Sequence, residues 1–379
     1  ISVISNPEEF KTTKSLWNRL ADDCSSNPLF LSSYILDRMK CYSKEGWSPL
    51  LLHFSKGDEL IGSVPLRVKR TFGLKFAKLL LEPDFSPDFV FRKEYRRVCT
   101  EEAIRFLFNT LGFHYLDFTL PVESKNRSIL KRLCESQKIS FHESFGNAHR
   151  MIKIKCTWDE YVKQRRRKTK KKFRSLENRL NKEGIWKIVS FRNDDITTDT
   201  YKKILDIENL SWKEKWRQIR RKGKDEHYPM VWNASKLTKE QSLNYHWILY
   251  FLELNNTAIS FAIVLQYKDT SVMLKTTFDD RYKELSPGTV IMNAVIRDQF
   301  EEKETSTIEM MTDLDVVNKW DHIRLPRSRI ILSNNRLLPR LVYHCSKPTF
   351  IKDYSISGLA RIIINSQAMR RFVADLREV

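Results

Sequence analysis

Phe278-Asp279-Asp280-Arg281-Tyr282-Lys283-Glu284-Leu285-Ser286-Pro287-Gly288-Thr289-Val290-Ile291-Met292-Asn293 decides how this chain reads. An apolar, β-prone run, Ser271 to Thr277, precedes it. Val290, Ile291, Ala294, Val295 and Phe300 follow at helical spacing. The unit is therefore strand, polar turn, helix. Ser286 suits a helix cap, Pro287 the first helical position, and Gly288 a close approach of ligand to backbone. A helix start of this kind aims N–H groups and a positive dipole at whatever lies above it, so it can hold a phosphate or carboxylate.

The unit ends a predicted β-meander: Trp247 to Glu253, Thr257 to Tyr267, then Ser271 to Thr277, with turns at Leu254-Asn255-Asn256 and Lys268-Asp269. Further strands are expected at Ser306 to Met311 and Ile330 to Leu332. Ahead of the meander the pattern predicts one long helix over Trp158 to Glu183, a strand over Trp186 to Phe191, and helices over Tyr201 to about Trp216 and Lys239 to Leu243. The first part of the chain has a similar order. Helices open it around Leu16, Trp17, Leu20 and Ser33 to Met39. A hairpin follows, Ser48 to Phe54 and Leu60 to Leu66, turning at Lys56-Gly57-Asp58-Glu59. Then come strands in Phe72 to Phe91, a helix over 98–111, a buried strand Tyr115 to Leu120, a helix Ser128 to Gln137 and a strand His149 to Ile154. Two tandem α/β units meeting near residue 155 are the simplest account of this order, and 379 residues suit two domains.

Six dispersed cysteines and eight histidines show neither zinc-site spacing nor a disulfide framework, so no metal is expected. No run approaches ~18 apolar residues and no signal-peptide pattern opens the chain, which points to a soluble, cytoplasmic protein. The net charge of +20 is local: residues 161–183 hold eleven Lys or Arg against two Glu, and residues 212–224 seven against one. Such a surface predicts a polyanionic partner. Arg165-Arg166-Arg167-Lys168 and Lys170-Lys171-Lys172 put cations all round a helix. Phe173 is the one aromatic among them, too sparse for a base-stacking platform.

Several blocks together resemble a known family: the Arg-rich helix with Leu176-Glu177 and Gly184; Glu208-Asn209-Leu210-Ser211-Trp212-Lys213; Phe278 to Tyr282 followed by Leu285-Ser286-Pro287-Gly288; and Asp313 with Lys319-Trp320. Weaker marks stand earlier, at Trp17, Asn27-Pro28, Gly62 with Pro65-Leu66, and Asp84 to Asp88. Over residues 1–335 the chain is similar to acetyltransferase-like proteins of the cellulose-biosynthesis (CelD/BcsL) type, in the GNAT superfamily and close to the Fem peptidyltransferases. The resemblance implies an α/β (α+β) fold of tandem GNAT-like domains, each a mixed, mainly antiparallel sheet flanked by helices. Residues 1–155 would be a degenerate copy, 156–335 the catalytic one and 336–379 a helical extension. It also implies direct attack of an amine on an acyl-CoA thioester. That chemistry needs a strand edge to polarise the carbonyl, a helix start for the pyrophosphate, and a base for the amine proton.

The expected roles follow from it. Lys275 and Thr276, within Met273 to Thr277, supply the strand, and Leu285, Ser286, Pro287, Gly288 and Thr289 the donor's phosphate turn. Asp313, Glu208 and Lys319 are the catalytic candidates, with Asp279 a further base. Trp212, Lys213, Arg165, Arg166, Lys170, Trp320 and Tyr282 are candidates to meet substrate or polyanion. The turn carries one glycine where acyl-CoA-binding members have several, so its phosphate loop is altered. Three readings stand: an N-acyltransferase acting on an amine of a sugar, peptide or small metabolite; a Fem-like transferase fed by aminoacyl-tRNA; and a non-catalytic GNAT-fold protein whose basic helix docks on nucleic acid or anionic membrane. The partners expected are an amine acceptor and a polyanion, either tRNA or membrane, met through residues 161–183 and 212–224.

Overall fold

The computed structural model describes residues 1–334 apart from 26, 45, 72, 82–86, 166, 213–244, 303, 313–314 and 321. The expected helix at 239–243 and the extension at 336–379 lie outside the described residues. The chain folds into two compact units. The first holds Ile1–Ser25, Leu29–Ala148 and, among the described residues, 325–334; the second holds His149–Arg324 with the short piece near Pro28.

In the first unit, strand β1 (Ser2–Ile4) leads into helix α1 (Pro7–Cys24). Asn6 caps α1, its side chain accepting from the Glu8 and Glu9 amides. Helix α2 (Ser32–Lys44) follows, then β2 (Ser48–Lys56), β3 (Glu59–Thr71), β4 (Leu74–Leu79), β5 (Val90–Phe91), α3 (Arg96–Arg105), β6 (Tyr115–Pro121) and α4 (Lys125–Ser136). Neighbouring strands run β1-β2-β3-β4-β6, and β13 (Ile323–Ser333) pairs on the far side of β6. Every pair is antiparallel except β4 with β6. A parallel pair needs a crossover, and α3 lies in that connection. The core packs Leu52, Val64, Leu66, Leu107, Leu116, Phe118 and Leu130 between sheet and helices.

The second unit repeats the plan. Its elements are β7 (Ser140–Lys153, from His149 on), α5 (Trp158–Gln164), α6 (Arg167–Glu183), β8 (Trp186–Arg192), α7 (Thr198–Asn209), β9 (Tyr245–Leu254), β10 (Thr257–Tyr267), β11 (Thr270–Phe278), α8 (Pro287–Glu301) and β12 (Thr307–Glu309). The strands run β7-β12-β11-β10-β9-β8. All pairs are antiparallel except β11 with β12, which α8 connects. The units are not consecutive stretches of chain. The end of β7 follows the first unit but pairs with β12, and β13 follows the second unit but pairs with β6.

The long helix expected over Trp158 to Glu183 is broken. α5 stops at Gln164, and Arg165 turns to an extended conformation (φ −63°, ψ 146°). The turn buries the Arg165 guanidinium over the rings of Trp158, Tyr161 and Phe173, at 4.8, 4.7 and 5.2 Å. A single apolar stripe through both helices hides that break. Helix α7 also ends earlier than expected, at Asn209. Among the described residues no helix is long and apolar enough to cross a membrane.

One glycine shows how tightly the first unit is packed. A Cβ on Gly62 of β3 would meet the Phe91 ring at 2.5 Å. Gly62→Ala is expected to cost about 1–3 kcal/mol by overpacking. Urea unfolding should show this as a lower midpoint with an unchanged slope.

Candidate active site

The site is built where β11 loses its parallel neighbour. Three residues of β11, Thr270 to Val272, pair with Thr307 to Glu309 of β12. β12 then stops, while β11 continues to Phe278. The Met310 amide donates to the Arg150 carbonyl of β7, so the chain leaving β12 stays with β7. Among the described residues, the β11 edge from Met273 to Phe278 has no ladder partner on that side. A bulge accompanies the parting. Ile263 pairs with Lys275 and Val264 with Met273, which leaves Leu274 as the extra residue and sharpens the local twist.

Side chains beyond the bulge alternate between the two faces of β11. Lys275 reaches α7, where its Nζ donates to the Glu208 carboxylate. Both are shielded, with side-chain exposures of 15% and 5%. Burial pushes the Lys275 ammonium down to about 7 from its ordinary 10.5. Thr276 and Phe278 face the other way, toward the start of α8. A Cβ on Gly288 would lie 3.1 Å from the Phe278 ring and 4.0 Å from the Thr276 methyl. The glycine therefore brings the helix start against the open edge. Its room is filled by β11, not left clear for a ligand.

The turn into α8 is fixed from several sides. The Asp279 amide donates to the Ile259 carbonyl and the Asp280 amide to the Leu210 carbonyl. The Asp279 carboxylate, buried, accepts from the Arg281 amide and guanidinium. That makes Asp279 a turn anchor. Ser286 adopts the left-handed conformation (φ 53°, ψ 49°) and its side chain does not cap the helix. Its carbonyl instead accepts from the Thr289 and Val290 amides.

Cations gather at this helix start. Lys319 Nζ donates to Thr289 Oγ1 at 2.8 Å, and burial followed by the nearby Lys172 lowers its pKa. Arg179 of α6 donates to the Glu284 carbonyl at 2.6 Å. Asn293 Oδ1, two turns into α8, accepts from Arg165 and from the Trp320 indole. Phe173 and Trp320 pack at 5.9 Å. The apolar stripe of α6 thus fixes the helix against α8, and its basic face flanks the α8 dipole. Lys172, Lys319 and Arg179 around a helix start make an anion basin.

The expected site residues fall into four groups. Glu208, Lys275, Thr276, Leu285, Ser286, Pro287, Gly288, Thr289 and Lys319 are brought together around the β11 edge and the α8 start. Arg165, 5% exposed, and Trp320, 1% exposed, belong to the core between α6 and α8, and Tyr282 packs on its border. Lys170 donates to the Lys163 carbonyl, and Trp212 is 45% exposed past the end of α7. Asp313, Arg166 and Lys213 lie outside the described residues. Residue patterns alone missed the bulge at Leu274 and the Lys275–Glu208 pair. A lysine inside the apolar run Ser271 to Thr277 was the available signal. Among the described residues no group of three or more His, Cys, Asp or Glu could hold a metal ion.

This geometry agrees with what the chain is similar to. Residues 166–315 match the model of the acetyltransferase (GNAT) domain. No curated protein sequence matches the chain. Among solved structures, FemX superposes with a TM-score of 0.56 at 11% identity over 90% of this chain and 99% of its own. The C-terminal domain of a putative lysylphosphatidylglycerol synthetase from Agrobacterium fabrum gives 0.55 at 8% identity, over 88% and 95%. L-PGS from Bacillus licheniformis gives 0.53 at 8%, over 86% and 93%. At such identities the likeness establishes the fold alone.

Lys319→Met tests the basin. We expect calorimetry with inorganic pyrophosphate to show affinity weakened about tenfold, the value of one charge-assisted hydrogen bond. Thermal stability should hold or rise, because the crowding of Lys319 by Lys172 is relieved. Unchanged affinity would remove the α8 start from the site. The matching domain model, read with the open β11 edge and the cationic start of α8, places residues 166–315 among sequences similar to GNAT acetyltransferase domains.

Proposed function

We propose that this protein is an N-acyltransferase that moves an acyl group from an acyl-CoA-type thioester directly to an amine of a sugar, peptide or small metabolite. The observation that carries the reading is the buried Lys275–Glu208 pair one residue past the bulge, at the edge where β11 and β12 part. The match to the acetyltransferase (GNAT) domain supports it.

The donor's phosphates lie at the α8 start, held by the helix dipole with Lys319, Lys172 and Arg179. Its acyl arm enters the gap beside Met273 to Phe278, where unladdered backbone amides polarise the thioester carbonyl. Because alternate β11 side chains point to opposite faces, the donor turn and the Lys275–Glu208 pair flank one edge from two sides. The amine nitrogen attacks the carbonyl carbon, the C–S bond breaks and the thiolate leaves. Neutral Lys275 accepts the proton shed by the amine, and the Glu208 carboxylate holds the ammonium that forms. A base of pKa about 7 matches neutral pH.

A second reading draws on the basic face of α6 and the single glycine of the turn. The donor would then be an aminoacyl-tRNA, as the Fem resemblance implies, with Lys170, Lys171 and Arg174 along the RNA backbone. Salt separates the two. A tRNA donor gives a steep fall of affinity with ionic strength, and a CoA donor a shallow one.

Glu208→Gln and Lys275→Met should each lower kcat ~10²-fold or more while leaving donor affinity nearly unchanged. In the intact protein kcat should rise as pH passes about 7, and Lys275→Met should erase that limb. Stability carries the same sign. Between pH 7 and 10.5 the unfolded chain holds the Lys275 proton and the folded chain does not, so stability climbs with pH there. Full activity in Glu208→Gln would sink the proposed role.

A further inference from the structure

The first unit has its own parting of a parallel pair, and the residues there are charged. β4 and β6 pair from Phe76↔Tyr115 to Lys78↔Asp117. Arg67 of β3 stands directly opposite Lys78 of β4, and Lys78 directly opposite Asp117 of β6. Arg329 of β13 donates to both Asp117 oxygens, at 2.8 and 2.7 Å. Four adjacent strands thus carry Arg67, Lys78, Asp117 and Arg329 on one face: three cations and one carboxylate. Arg67, Lys78 and Asp117 are 5%, 4% and 4% exposed.

This row is unbalanced. Like charges directly across a ladder are destabilising, and buried ones more so. Asp117 spends its hydrogen bonds on Arg329 and stands 3.6 Å from Lys78 Nζ. Among the described residues, Lys78 Nζ and Arg67 Nε have no hydrogen-bond partner. The Arg67 guanidinium is held from below by the Tyr42 and Trp47 rings, at 4.2 and 4.8 Å, which fixes its direction. Arg67, Lys78 and Asp117 line a small, partly open pocket, with Thr119 as a further polar wall and Leu79, Leu81 and Pro87 as apolar ones. Burial lowers the Lys78 ammonium to about 8, against the pull of Asp117 and with Arg329 and Arg67 pushing the same way as burial.

We propose that this pocket binds the phosphoryl group of a phosphate monoester. The excess of two buried cations matches a dianion, and a carboxylate would leave one cation uncovered. Arg67 offers a planar fork, Lys78 a point charge and Thr119 a hydroxyl, a set suited to phosphate oxygens. The site lies wholly in the first unit and does not rest on the acyl-transfer reading.

The test uses the full chain in phosphate-free buffer. Inorganic phosphate and glycerol 3-phosphate are titrated by calorimetry, with acetate as the carboxylate control and melting followed in parallel. We expect a binding event that Arg67→Met and Lys78→Met each weaken at least tenfold and that Lys319→Met leaves in place. Acetate should bind at least tenfold more weakly. Without phosphate, Lys78→Met should melt higher than the unsubstituted chain, because a buried like charge is gone, and phosphate should no longer raise its melting point. In the Lys319→Met background, which weakens the basin at α8, phosphate binding that survives both substitutions overturns the proposal. So does the absence of binding, or acetate binding as tightly as phosphate.

Discussion

The parting of β11 from β12 is the constraint on which the second unit depends. Three parallel pairs hold the strands together, and then they part: the chain leaving β12 stays with β7, and β11 keeps β10 on one side and, among the described residues, no ladder partner on the other. A strand edge inside a protein leaves backbone donors and acceptors that need partners. Here they lie between a helix start and a buried ion pair. The bulge at Leu274 twists the strand at that point, and Gly288 lets the helix press against it. Shape, dipole and edge are consequences of one interrupted ladder.

Charge is then distributed around that edge in two ways. On the face toward α8, cations crowd a helix dipole and are kept apart by their anchors: Lys319 on Thr289, and Arg179 on the Glu284 carbonyl. On the face toward α7, one lysine and one carboxylate are buried together. The first arrangement suits a polyanion that neutralises it, the second a proton that moves. The first unit has the same break in a parallel pair but fills it with Arg67, Lys78, Asp117 and Arg329. One architecture thus carries two electrostatic designs.

Much of this was legible in the chain. The meander, the strand-turn-helix at Ser271 to Phe300 and the hairpin at Ser48 to Leu66 follow from alternation and turn residues. The joint order of Glu208, Phe278 to Gly288 and Lys319-Trp320 carried the family resemblance. Other features were not local enough to read. The break at Arg165 is driven by three rings, one of them on the next helix. The capping role given to Ser286 was replaced by a left-handed backbone, because its carbonyl, not its hydroxyl, meets the first helical amides. Pairing of β7 with β12 and β13 with β6 is long-range, and no residue pattern announces which sheet a strand joins. Arg67, Lys78 and Asp117 look like separate surface charges until register sets them in one row.

The most direct measurement is a crystal structure of the protein with a thioether analogue of acyl-CoA, in which sulfur chemistry is blocked and the carbonyl is retained. The carbonyl oxygen is expected within hydrogen-bond distance of a β11 backbone amide between Met273 and Phe278, with the phosphates at the start of α8 and Lys275 on the opposite face. Density for the analogue away from that edge, with β11 and the α8 start empty, would contradict that placement.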